Sequence, residues 1–215
     1  MSAHHPHDEL LVSYAAGTLP ETASVIVATH LALCPACRKS VSRAECIGEA
    51  LIQDIAPVRM EALALDSTLA RLDEEQPSTT VAPPVPSGDP LLPRPLRDLV
   101  PQGLQALKWK TLGGGFRYAA LKADGAGRLG LLEGQPGKAT PHHGHHGDEF
   151  TLVLSGGYTD ELGAFARGDL QCGDSTLMHR QVVDAGAACL CLVLTRGGIR
   201  PSHPVLRLLA RFLPF

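Results

Sequence analysis

The sequence predicts an α + β protein in two parts. A helical N-terminal domain spans residues 1–76, a proline-rich linker spans 77–95, and an antiparallel β-sandwich or barrel with a terminal helix spans 96–215. Three observations carry this reading. Up to about residue 72, apolar residues recur at helical spacing. Seven prolines then fall between residues 77 and 95, among serines, threonines and a glycine. Such a stretch has no apolar period and favours extended backbone. Beyond it, short β-type runs alternate with glycine-centred turns.

In chain order, Asp8 to Gly17 reads as a short helix stopped by glycine. Thr18 followed by Glu21 has the form of a capping box opening a second helix. That helix sets Ala23, Ile26, Val27, His30 and Cys34 on one face. Pro35 suits the first turn of a third helix, whose stripe is Val41, Ala44, Gly48, Leu51 and Ile55. A fourth carries Leu65, Leu69 and Leu72 in phase and fades into an acidic run. The β part includes runs at 116–118, 128–132, 150–154 and 189–194, and Val205 to Leu213 reads as an amphipathic helix.

Bulk properties narrow the function. A net charge of −3 argues against a broad phosphate-binding surface. The N-terminus lacks the basic patch and apolar run of a signal peptide, and no stretch approaches the roughly 18 apolar residues of a membrane span. The chain reads as soluble and cytoplasmic, with no membrane or direct nucleic-acid partner. In a reducing compartment its six cysteines favour thiol and metal chemistry over disulfides.

Two ligand clusters stand out. His30, Cys34 and Cys37 form H-x3-C-x2-C across the junction of the second and third helices. Zinc takes four ligands drawn from cysteine and histidine, and thiolates at a helix start gain from its free N–H groups. The fourth ligand comes from His4, His5 or His7, and His5, just ahead of the first helix, is chosen. Four protein ligands make this a closed, structural site. The second cluster is His143, His145 and Glu149 (H-x-H-x3-E), with His179 arriving from a later strand. Two imidazoles two residues apart face the same side of a strand. Three imidazoles and a carboxylate suit zinc, iron, manganese or nickel. Cys189 and Cys191 also face one side of a strand and read as small core residues, with a redox-responsive pair as the alternative; Cys46 and Cys172 read as structural.

Gly137, His143, His145, Glu149 and Gly156 fit the first cupin motif. Gly168 and His179 keep part of the second, while Ser175 and Thr176 stand where proline and glycine are usual. The N-terminal pattern resembles the zinc-binding anti-sigma domain. Taken together with Asp8–Leu11, Tyr14–Leu19, Val27–Leu31, Thr111–Gly115 and Thr151–Leu154, the chain resembles the ChrR-type anti-sigma factors. The resemblance implies a zinc-binding helical bundle joined to a cupin-type antiparallel β-barrel (jelly roll). It implies zinc held by His5, His30, Cys34 and Cys37, and zinc in the cupin site as well. The implied partner is a group IV (ECF) sigma factor, released in response to singlet oxygen, and the implied role is regulatory and not enzymatic. Two other readings follow from the residues: a metal-dependent cupin enzyme (dioxygenase or isomerase), and a zinc-stabilised nucleic-acid binder using Arg38, Lys39 and Arg43.

Overall fold

A computed structural model describes residues 2–73, 89–125 and 127–202. The terminal helix expected at 205–213 and residues 77–88 of the expected linker lie outside the described residues. The chain builds α1 (Asp8–Ala15), α2 (Glu21–Leu33), α3 (Pro35–Gln53), α4 (Ala64–Asp73) and α5 (Arg94–Arg97). The strands are β1 (Lys110–Gly113), β2 (Phe116–Asp124), β3 (Gly127–Gly134), β4 (His143–His145), β5 (Glu149–Ser155) and β6 (Gly157–Asp160). They continue with β7 (Gly163–Ala166), β8 (Leu170–Gly173), β9 (Met178–His179), β10 (Val182–Val183), β11 (Cys189–Thr195) and β12 (Ile199–Pro201).

The α1 stop is as expected: Gly17 takes a φ of 67°, where a glycine costs least. The α2 start differs. Pro20, with no side-chain cap, precedes the first helical residue, and the Thr18 hydroxyl donates back to the Ser13 carbonyl at 3.1 Å. Asp124 of β2 does the capping instead. Its carboxylate accepts the Thr22 amide and the Thr22 hydroxyl, each at 3.0 Å. A carboxylate from elsewhere in the fold meets the orphan N–H groups and their partial positive charge, so no local capping box forms. Lys122 adds an ion pair to Glu21 beside it.

All strand pairs are antiparallel. One six-stranded sheet has the order β1-β2-β3-β11-β5-β8, and two three-stranded sheets have the orders β10-β6-β7 and β12-β4-β9. The large sheet is buried on both faces. Leu129, Leu131, Leu152, Leu154, Leu192 and Leu194 point to one side and share a core with Ile26, Val27 and Leu31 of α2. Val153, Cys189, Cys191 and Val193 point to the other, against Tyr158 and Phe165 of the β6–β7 hairpin. Double burial explains why residues 189–194 read as an unbroken apolar run instead of alternating.

The described end of the proline-rich stretch is packed and does not act as a free spacer. Leu92 and Leu96 are 1% and 0% exposed, and α5 lies against α2. Proline content there hides two leucines that belong to the core. The α3 stripe is also only partly internal: Cys37 and Val41 are buried, whereas Leu51 and Ile55 are 65% and 67% exposed. Cys46, expected to be structural, sits on the exposed side of α3. Among the described residues no helix is long and apolar enough to cross a membrane.

Candidate metal centres

The four residues predicted for the first cluster converge. One ligand atom from each of His5, His30, Cys34 and Cys37 lies within 4.8 Å of the others. The turn between α2 and α3 explains most of this. Cys34 is the extended residue ending α2 and preceding Pro35, so its thiol and that of Cys37, in the first turn of α3, point to one spot. His30, one turn earlier, faces the same way. Its Nδ1–H donates to the Gly168 carbonyl at 2.9 Å, which leaves Nε2 with its lone pair turned inward. That Nε2 is buried and has no hydrogen-bond partner. Burial holds the ring neutral, with a pKa of about 4. An unsatisfied buried nitrogen costs about 1–3 kcal/mol, and an ion bound there would remove that cost.

His5 Nδ1 sits 3.4 Å from Cys34 Sγ and 3.3 Å from Cys37 Sγ. Its neighbours are engaged elsewhere. His4 stacks on Phe165 at 4.1 Å, and the His7 carbonyl accepts the Leu10 and Leu11 amides of α1. Choosing among the three histidines is therefore a matter of backbone path. Burial, with Cys34 beside it, pushes the Cys37 thiol up to about 12. The donor set, two sulfurs and two imidazoles, fits a tetrahedral ion.

The second cluster is equally compact, and all four of its residues are buried. His143 and His145 point inward from β4, while His142 and His146 are exposed, as strand alternation requires. Gly144 lies against β9: a Cβ there would come within 2.5 Å of Met178 Sδ, so glycine permits the approach that brings His179 alongside. His145 Nε2 lies 3.1 Å from His179 Nε2 and 3.3 Å from Glu149 Oε2. His143 Nδ1–H donates to the Pro141 carbonyl at 2.8 Å, leaving its Nε2 free. Burial and mutual repulsion hold His143 and His145 neutral, at about 4 and about 3. Burial raises Glu149 to about 7. Facing lone pairs and a desolvated carboxylate are a poor arrangement alone and a good one around a divalent cation.

Asp160, at the end of β6, was not evident as a site residue. It accepts the His179 Nδ1–H at 2.9 Å and fixes that ring so that Nε2 faces the cluster. Burial opposes its charge, but hydrogen bonds from His179 and Gln171 outweigh burial and lower its pKa. In sequence it is one more acidic residue at a turn, with nothing to set it apart.

Comparison with known proteins places the chain in a family. Residues 100–197 match the model of the ChrR cupin-like domain. A protein of Cereibacter sphaeroides known as anti-sigma-E factor ChrR is 41% identical over 199 residues, covering 92% of this chain and 91% of its own. The crystal structure of Rhodobacter sphaeroides SigE in complex with the anti-sigma ChrR is similar with a TM-score of 0.80 at 40% identity. That match covers 91% of this chain and all of the matched one. With its two ligand clusters, its helical region and its cupin-like sandwich, the chain belongs to the ChrR family of anti-sigma factors.

Proposed function

We propose that this protein binds a group IV (ECF-type) sigma factor in the cytoplasm through its helical region and keeps it from transcription. The observation that carries this reading is an unburied apolar stripe on two helices. Ile47 and Leu51 follow one another down α3 at 64% and 65% exposure, Ile55 just beyond its end is 67% exposed, and Leu65, Leu69 and Leu72 line one side of α4. Apolar surface of this extent on a soluble chain marks a protein partner. The names of the relatives, an anti-sigma-E factor and a SigE complex, support a sigma factor as that partner.

His5, His30, Cys34 and Cys37 hold zinc as a structural ion, on the strength of their soft donor set. His143, His145, Glu149 and His179 hold a second divalent ion, with zinc favoured, in a cupin site that receives an oxidative signal such as singlet oxygen. We read the helical part to residue 76 and the cupin part from residue 96 as distinct in role, although they share a core. The alternative of a cupin enzyme is not favoured by the relatives, which are anti-sigma factors.

The test is co-purification of the full chain with an ECF-type sigma factor from the same organism, followed by transcription with RNA polymerase. A stable complex that suppresses transcription is expected. A chain that neither binds nor inhibits any such sigma factor overturns the reading.

A further inference from the structure

Four consecutive residues, 168–171, support ligands of both clusters. β8 is an edge strand, paired on one side with β5. On its open side the Leu170 amide donates to the His4 carbonyl at 3.1 Å, next to the ligand His5. The Asp169 carboxylate, 3% exposed, accepts the amides of Ala3 and His4 at 2.6 and 3.1 Å. Gly168, at a φ of 95° that suits only glycine, turns its carbonyl onto His30 Nδ1. A Cβ at that glycine would come within 2.9 Å of Ser2 Oγ, so the N-terminal arm and the turn are in close contact.

The opposite face of the same segment reaches the cupin cluster. Gln171, also 3% exposed, donates Nε2–H to Asp160 Oδ2 at 2.6 Å and accepts the Tyr158 hydroxyl at 2.9 Å. Asp160 in turn holds His179. One chain of hydrogen bonds therefore runs from His179 through Asp160 and Gln171 into the backbone that positions His30 and the arm carrying His5.

We propose that residues 168–171 are a shared outer shell linking the two clusters, so that an ion in either one raises the affinity of the other. The reading rests on both clusters holding metal. An ion there would draw His145 Nε2, His179 Nε2 and Glu149 to one point, and the hydrogen bonds of His179 to Asp160 and of Asp160 to Gln171 would carry that constraint to β8. β8 has one strand neighbour, and its other edge holds the arm that carries His5, the exposed ligand of the cysteine cluster. Coupling of this kind is reciprocal.

The test loads the full-length protein with cobalt(II), whose thiolate charge-transfer absorption reports only the cysteine cluster, and titrates the ion away with a chelator. His143→Ala, which disables the cupin cluster, is expected to weaken cobalt retention at the cysteines by about tenfold or more. Gln171→Leu is expected to produce a similar loss and to make the effect of His143→Ala non-additive. Retention unchanged within twofold in a folded His143→Ala protein overturns the linkage. Native mass spectrometry of the unsubstituted protein at half-saturating cobalt gives a check that needs no variant. An excess of doubly loaded chains over the statistical mixture supports linkage, and a statistical mixture overturns it. If one cluster takes up no cobalt at all, the metal reading of that cluster fails and the linkage falls with it.

Discussion

The two clusters use the same number of ligands but are built differently. The imidazole–carboxylate cluster lies within β-structure: β4, β5 and β9 supply all four residues, and each is buried. The cysteine cluster lies at a seam. Its ligands come from the N-terminal arm and the α2–α3 junction, one of them is exposed, and a β-turn carbonyl orients another. A site inside a sheet inherits its geometry from strand register. A site at a seam depends on how two parts of the fold sit together, and it is suited to holding them or letting them go.

The largest expected effect falls on the seam. Cys37→Ala should leave one ion per chain and abolish sigma-factor binding, because a structural metal ion bound by four protein ligands would contribute on the order of 10 kcal/mol to the fold around it. Metal quantification and co-purification check this, and two retained ions would break the comparison. Next, Leu69→Asp on α4 should weaken sigma-factor affinity by about 100-fold with the melting temperature unchanged, as expected of an exposed residue central to an interface. By contrast, His143→Ala should lose the cupin ion yet still inhibit the sigma factor, while failing to release it on oxidant exposure. Loss of inhibition altogether would show that the two sites do not divide their roles.

Acidity offers a finer comparison. In the metal-free chain His30, His143 and His145 have folded pKa values below their ordinary 6.5. Between about 6.5 and 4 the unfolded chain binds protons that the native chain does not, so stability falls with falling pH across that window. Glu149 has the opposite sign. Its raised value of about 7 means that stability is fully present below its ordinary 4.5 and is lost as pH rises through 7. Three histidines outweigh one carboxyl, so the metal-free protein should melt lower at pH 5 than at pH 7, with Glu149 reducing the difference; melting temperature against pH checks this. The smallest effect is expected at the α2 cap. Asp124→Ala should cost about 1 kcal/mol, seen as a drop of a few degrees in melting temperature with both ions retained.

Much of the site was legible because metal ligands follow backbone period. His143 and His145 share a strand face, and His30, Cys34 and Cys37 meet across one helix junction, so local geometry alone gathers them. Asp160 and Asp169 were not legible, since a carboxylate that orients a ligand has no spacing rule relative to it. The capping box at Thr18 misled for the same reason: Asp124, far away in sequence, outcompetes the local cap. Leu92 and Leu96 were hidden by the prolines around them, because composition does not say which side of a chain meets a core.

By itself the sequence determined the helical and β regions, the two ligand sets and the soft or hard character of each, since these depend on residue type and on spacings of a few residues. Only the tertiary structure decided that the helices share a core with the large sheet, that His5 and not His4 or His7 joins the cysteines, and that residues 168–171 touch the supports of both clusters. Those outcomes depend on contacts between segments more than a hundred residues apart, such as Gly168 with His30 and Asp169 with Ala3. No local pattern encodes such contacts, because they are settled by packing the whole chain at once.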